Sequence, residues 1–326
     1  MINNFFDEDI EIQTASLTAF AHEILNEYGI NNADVESINF EFNATFAVST
    51  QSDQKYALRL NINSTRTYSN IQAETQWVRD LARIPSINVP TPIASLDDQY
   101  VISALHADSG HTIYGVMYSW LEGEEIGDEP TLEQLRTVGR AIALLHENSS
   151  SFTLTDEAEL PTFNDFFWGT EDYLFSSKST LILKDRQLIE QARDLIMKYT
   201  DELYSSSAVH IIHADFHGWN LMWHEDQLFI FDFDDCGYGV EAQDIAVALY
   251  YLDTTEQDAA LLDGYKSIRS VPTYSENAMK ALLLQRRLLL LNYLFETKNA
   301  EHKEMLPAYL EKTIERVSTF LTDVTQ

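Results

Sequence analysis

Two short apolar runs, Val209 to Ile212 and Leu228 to Phe233, each meet a crowd of polar residues. The first opens into His213-Ala214-Asp215-Phe216-His217-Gly218-Trp219-Asn220, and the second closes on Asp232-Phe233-Asp234-Asp235. Up to four carboxylates and one amide therefore sit at the ends of two strand-like segments. Crowding carboxylates is costly, because burial and like charge both oppose ionisation. Oxygen groups of this kind hold a hard divalent cation, and a carboxylate beside a hydroxyl can orient it and take its proton. Any one of these aspartates alone reads as an Asx turn in an acidic chain; the spacing says more.

Asp215 and Asn220 are five residues apart, and Asp232 follows Asn220 by twelve. His-x-Asp-x-x-x-x-Asn, then an apolar run ending in Asp, is the spacing of a kinase catalytic loop and its metal-binding aspartate. Asp215 is the expected base, and Asn220 and Asp232 are the expected Mg²⁺ ligands across the phosphates of a nucleotide. Such a site also needs a cation near the phosphates, and residues 1–118 hold only Lys55, Arg59, Arg66, Arg79 and Arg83. In Lys55-Tyr56-Ala57-Leu58-Arg59-Leu60, alternation places Ala57 and Arg59 on one face, a small residue for a base and a cation for phosphate. Ile71, Glu74, Val78 and Leu81 recur at helical spacing, so Glu74 lies on an apolar stripe and needs a partner, for which Arg59 is the candidate. Singly, Arg59 reads equally well as an edge-strand cation and Glu74 as a solvated charge.

Elements to position these groups are legible from periodicity. A helix is expected at about 14–28 and strands at Val35 to Phe42, Thr45 to Thr50 and Tyr56 to Ile62; a helix at about 69–82 follows, then strands at Ile93 to Ala94 with Tyr100 to Ile102 and at Thr112 to Tyr118. From Thr131 onward, helical spacing recurs through Leu145 and again near 186–204, 242–252, 276–297 and 300–322. At 326 residues, with no repeat and no Pro/Gly/Ser linker, two closely joined lobes are expected.

Composition removes whole classes of function. With 45% hydrophobic residues, 11 Gly and 7 Pro, the chain is neither fibrous nor disordered. With 21 basic against 52 acidic residues, its charge of −31 repels phosphate backbones and anionic lipid, so neither nucleic acid nor a membrane surface is an expected partner. Met1 to Thr14 has no basic leader, and the apolar stretch Ala281 to Phe295 is interrupted by Arg286 and Arg287, so a soluble, unexported chain is expected. One cysteine, Cys236, cannot build a disulfide framework, which fits the cytoplasm.

With these residues in hand, the sequence resembles the aminoglycoside phosphotransferase family, which also covers choline kinases, kinase-like homoserine kinases and a bacterial stress-response protein kinase. His213 to Leu221 is similar to its catalytic loop, including the second histidine, His217; Ile230 to Asp235 is similar to its Asp-x-Asp segment. Gln243-Asp244-Ile245-Ala246 matches its Asp-Leu-Ala helix start, Leu145-His146 the end of its first large-lobe helix, and Tyr118 to Gly123 its hinge. The resemblance, spanning about residues 40–250, implies an α+β, bilobal protein-kinase-like fold. It implies a nucleotide-binding lobe of antiparallel sheet plus helix over 1–118, a hinge near 117–121 and a mainly helical catalytic and acceptor lobe over 119–326. It further implies ATP, or GTP, as donor, Met117 and Ser119 beside the nucleotide at the hinge, and Asp234 as an additional metal ligand. Two features depart from the family pattern: Arg59 stands where Lys is usual, and the loop expected over the nucleotide, roughly Asn39 to Val48, has no glycine. Asn43, Ala44 and Thr45 are therefore expected to make that turn. His213 and His146 are expected to be structural posts, while His217 is open between structure and chemistry.

Rival readings remain. His213, Asp215 and His217 at alternate positions can chelate zinc, although nothing supplies further ligands and Asn220 would be idle. Gly237-Tyr238-Gly239-Val240-Glu241-Ala242 formally meets a dinucleotide fingerprint, but acids precede it and no βαβ unit follows. A pseudokinase that binds without turnover is a third. The acceptor is expected to be a small-molecule hydroxyl, with a protein Ser/Thr as the alternative. Residues 1–119 carry a net −10 and the rest −21, a field that favours a cationic acceptor or simply maintains solubility.

Overall fold

Alternating apolar side chains build the first sheet. The computed structural model describes residues 5–155 and 157–325; residues 1–4 of the Met1 to Thr14 stretch, and residues 1–4, 156 and 326 of the two expected lobes, lie outside them. The chain divides into two compact units, 1–125 with 152–160 and 222–234, and 126–151 with 161–221 and 235–326.

In the first unit, α1 (Ile10–Glu27) precedes β1 (Asp34–Phe40), β2 (Asn43–Ser49) and β3 (Lys55–Asn61), followed by α2 (Tyr68–Leu81), β4 (Ile102–His106) and β5 (His111–Ser119). The five strands pair antiparallel in the order β1-β2-β3-β5-β4. Ala44, Phe46 and Val48 of β2 and Leu58 and Leu60 of β3 point to one face, where Leu17, Phe20, Ala21, Ile24 and Leu25 of α1 cover them. Register opposes Ala57 to Tyr118 and Arg59 to Val116, so these four share the other face. α2 starts in a capping box, Asn70 N donating to Thr67 Oγ1 and Thr67 N to Asn70 Oδ1. A small sheet of β6 (Glu124–Glu125), β8 (Leu221–His224) and β9 (Gln227–Ile230) completes the unit.

The second unit holds α3 (Leu132–Ser149), α4 (Leu183–Ser206), β7 (His210–Ile212), β10 (Gly237–Gly239), α5 (Glu241–Tyr250), α6 (Thr255–Lys266), α7 (Glu276–Glu296) and α8 (Ala300–Thr325). One of its apolar clusters joins Ile189, Ala192 and Ile196 of α4 to Leu284, Leu288 and Leu291 of α7 and Val317 and Phe320 of α8.

The local expectations need four corrections. Ile93 to Ala94 is no strand; only Pro92 bridges to Tyr118, and the next strand begins at Ile102, not Tyr100. The loop between β1 and β2 turns at Glu41-Phe42, leaving Asn43 to Thr45 inside β2; Asn63 clamps the turn, its N donating to Phe42 O and its Nδ2 to Glu41 O. α6 was not expected, because its apolar stripe is short. A capping box at Thr254 starts it, and glycines let it touch α3: a Cβ on Gly139 would lie 1.9 Å from Leu261 O. The run Leu228 to Phe233 ends as strand at Ile230, and an unforeseen β8 pairs with it through Glu225-Asp226, both with positive φ, as a two-residue hairpin turn requires. Among the described residues no helix is long and apolar enough to cross a membrane.

Candidate active site

In the second unit the loop after β7 is held by its backbone. Asp244, fully buried near the start of α5, accepts from His213 N at 3.1 Å and from Ala214 N at 2.6 Å. His146 Nε2 lies 3.0 Å from Asp244 Oδ2, and His146 Nδ1 lies 2.9 Å from Tyr265 Oη. Asp215 N donates to His213 Nδ1 at 3.3 Å, so both buried histidines serve as the structural posts expected of them. Ala214 takes φ +68°, a left-handed conformation a non-glycine residue adopts at a cost and keeps only where its surroundings impose it. Gly218 is obligatory here, since a Cβ on it would lie 1.8 Å from Gly127 O.

The Asp215 carboxylate emerges from this frame with both oxygens engaged. Oδ2 accepts from Asn220 Nδ2 at 2.8 Å and from His217 Nε2 at 3.1 Å, while Oδ1 accepts from Arg286 Nη2 of α7. Trp219 N donates to His217 Nδ1, which fixes His217 as the Nε2–H tautomer, a donor to Asp215. Asn220 Nδ2 also donates to Asp215 O at 3.0 Å, so both amide hydrogens are engaged and Oδ1 is the atom that could hold a cation. Burial pushes the Asp215 carboxyl up, but the adjacent Arg286 charge and the His217 hydrogen bond outweigh it and hold the group well below the usual carboxylate range. Arg286 also donates to Tyr251 Oη at 2.7 Å. Burial pushes that hydroxyl up to about 12, with Arg286 opposing and Asp215 adding, so it stays protonated.

In the first unit Arg59 Nη2 meets Glu74 Oε2 at 2.5 Å, both side chains at most a tenth exposed. Tyr118 Oη donates to Glu74 Oε1 at 3.1 Å. Burial disfavours the Arg59 cation, and Glu74, Tyr118 and Asp234 more than restore it, so it stays charged. Asp234 Oδ1 lies 3.9 Å from Arg59 Nη1, and its Oδ2 accepts from Asn43 Nδ2 at 3.0 Å. Phe233 is buried edge-on against Trp77 of α2, which leaves Asp232 exposed with φ +57°. Met117 and Ser119 lie on the α1 face of the sheet, opposite Ala57 and Arg59. Met117 is in the core with its carbonyl accepting from Ile93 N, and Ser119 N donates to Thr91 O. Neither residue turns its side chain toward Arg59; Tyr118 does.

Asp234 Oδ1 is buried without a hydrogen-bond donor. An anionic oxygen left with only a distant guanidinium fits a hard cation as its missing partner. Among the described residues no three His, Cys, Asp or Glu side chains gather within reach of one metal ion.

Arg286, Tyr251 and the clamp role of Asp244 were not anticipated. The available signal was a pair of arginines in the apolar stretch 281–295 of a cation-poor chain.

The fold has solved counterparts. An amicoumacin kinase solved with AMP-PNP, Ca²⁺ and Ami superposes with a TM-score of 0.76 at 19% identity, over 94% of this chain and 96% of that one. A microcompartment-associated aminopropanol kinase does so at 0.74 and 24%, over 94% and 98%. Among curated proteins, amicoumacin kinase of Bacillus subtilis is 28% identical over 200 residues, 61% of this chain and 57% of its own length. Stress response kinase A of Salmonella choleraesuis is 22% identical over 285 residues, 83% and 80%. The matched stretch thus spans little more than half of the Bacillus relative. The sequence pattern of the phosphotransferase enzyme family matches residues 37–278, well over half of the 326. This chain therefore belongs to that family and has its kinase-like α+β fold.

Proposed function

We propose that the chain transfers the terminal phosphate of ATP, with GTP as the alternative donor, to a hydroxyl of a small molecule. The observation that carries this reading is the Asp215 carboxylate, kept ionised and fixed by Arg286, His217 and Asn220 on a loop whose backbone Asp244 clamps. Asp215 accepts the acceptor hydroxyl's hydrogen bond, orients the oxygen for attack and receives its proton as the new oxygen–phosphorus bond forms and the bond to the departing nucleoside diphosphate breaks. With so low a proton affinity it orients more than it abstracts, and the proton moves late. Arg59, braced by Glu74, binds the donor's phosphates; Ala57 and the strand end from Met117 to Ser119 border its base. Asn220, Asp232 and Asp234 are the proposed Mg²⁺ ligands. Bound there, the ion would neutralise charge on the phosphates.

Relatives named for amicoumacin and aminopropanol support a small-molecule acceptor, the second of these names supports one bearing an amine, and the acidity of residues 120–326 is compatible with it. The similarity to stress response kinase A supports a second reading, in which the acceptor is a protein serine or threonine. No nucleic acid or membrane partner is proposed, and a cytoplasmic setting fits the single buried cysteine.

The test is release of the nucleoside diphosphate, ADP or GDP, from Mg²⁺·ATP and Mg²⁺·GTP with amicoumacin, aminopropanol, neutral and anionic alcohols, and a serine-rich protein. Acceptor-dependent release with an amine-bearing alcohol supports the first reading, and labelling of the protein alone supports the second. Absence of release with every acceptor, while nucleotide still raises the melting temperature, would leave a binding module. Reaction with neutral or anionic alcohols and not with cationic ones would remove the electrostatic argument.

A further inference from the structure

Arg286 and Arg287 are adjacent on α7, both buried, and satisfied in opposite ways. Arg287 donates through all three nitrogens to neutral acceptors: Nε to Thr313 Oγ1 at 2.9 Å, Nη2 to Tyr309 O at 3.1 Å and Nη1 to Tyr250 Oη at 3.3 Å. This is how a buried guanidinium serves a fold. Arg286 instead spends Nη2 on Asp215 Oδ1 and Tyr251 Oη, and its Nε is buried without an acceptor. A buried donor left unpaired is a cost that packing alone does not justify. Arg286 also lies beyond residues 37–278, the stretch shared with the family.

We propose that Arg286 is a positioning residue for phosphoryl transfer, locking the Asp215 carboxylate in one orientation from α7, with Tyr251 as its brace. The inference rests on the functional reading above. Asp215 has one oxygen on a fixed cation and the other on two N–H donors, so rotation about its side chain would break three contacts together. Tyr251 holds the lock from two sides: its hydroxyl accepts from Arg286, and its ring lies 5.1 Å from that of His217, which itself donates to Asp215. Orientation established before the acceptor arrives is worth most in the step where the hydroxyl must be aligned, and little in nucleotide binding. Arg286 therefore acts on kcat through Asp215.

The experiment measures ADP release from Mg²⁺·ATP with aminopropanol as acceptor and, in parallel, with water. Arg286→Met is expected to lower kcat ~100-fold with the KM for ATP unchanged. Arg286→Lys, which keeps the charge and loses the fork, recovers part of the loss. Arg287→Met is the structural control, expected to lower the melting temperature and leave kcat per folded molecule intact. In an Asp215→Asn background, Arg286→Met should cost nothing further, because its effect runs through that carboxylate. Should the methionine variant not fold, Arg286→Lys and Tyr251→Phe carry the same test, each expected to fall below wild-type kcat at unchanged KM. Folded Arg286 variants with wild-type kcat, or a full additional loss on top of Asp215→Asn, would overturn the inference alone. A wild type that releases ADP with neither acceptor would overturn the functional reading, and this inference with it.

Discussion

Arg59 and Arg286 each grip a carboxylate out of water, in a chain with 21 basic and 52 acidic residues, yet the two sites are built differently. Around Arg59 the pairing is dense. Glu74 takes the cation at 2.5 Å, Tyr118 supports the carboxylate, and Asp234 stands with Oδ1 within 3.9 Å, an oxygen that receives no hydrogen bond. Around Arg286 the guanidinium itself is the incompletely satisfied partner, and the carboxylate it holds has every oxygen engaged. The first arrangement has spare negative capacity and suits a cation bound with phosphates. The second has spare donor capacity and suits a carboxylate that must stay fixed and ionised. Position in the sequence separates them too: Arg59 and Glu74 are 15 residues apart, Asp215 and Arg286 are 71 apart.

Breaking the second site should have the larger catalytic effect. Asp215→Asn is expected to lower kcat by about 10²–10⁴-fold while Mg²⁺·ATP still raises the melting temperature. Full turnover in that variant would remove the loop after β7 from the chemistry. Breaking the first site should show in stability. Arg59→Met strands Glu74 and is expected to cost roughly 3–5 kcal/mol in urea unfolding, whereas Arg59→Met with Glu74→Leu recovers most of it. A single-variant cost below about 1 kcal/mol would mean water already reaches the pair, as at an exposed bridge. A smaller effect tests the proposed cation ligand Asp232. Mg²⁺·ATP at a hundred times its dissociation constant should stabilise the wild type by about 2.7 kcal/mol, and Asp232→Asn should lose the magnesium-dependent part. An equal shift without magnesium would exclude Asp232 as a metal ligand. The smallest change, Tyr118→Phe, removes one hydrogen bond to Glu74 and is expected to cost about 1 kcal/mol with Asp215 chemistry untouched; a fall in kcat would couple the two sites instead.

Much of the fold was legible because periodicity is local. The alternation that set Ala57 and Arg59 on one face, and the stripe that carried Glu74 inward, are properties of single elements, and the antiparallel sheet and the helices bear them out. Legibility failed where an element is held by something distant. α6 depends on backbone contact with α3 through its own Gly264 and through Gly139 of α3, a partner that no window of its own sequence contains. The turn at Glu41-Phe42 depends on Asn63, beyond the next two strands.

The sequence by itself determined which residues are candidates for the chemistry: the spacing of Asp215, Asn220 and Asp232, the face of Arg59 and the inward stripe of Glu74. Each is fixed by chain connectivity and by a helical or strand repeat spanning at most a few turns. Only the tertiary structure decided their surroundings. It set Asp244 under the loop 31 residues upstream, His146 against Asp244 across 98 residues, and Arg286 on Asp215. The physical reason is burial: a charge removed from water must find its counter-charge in space, and folding brings that partner from wherever in the chain it lies.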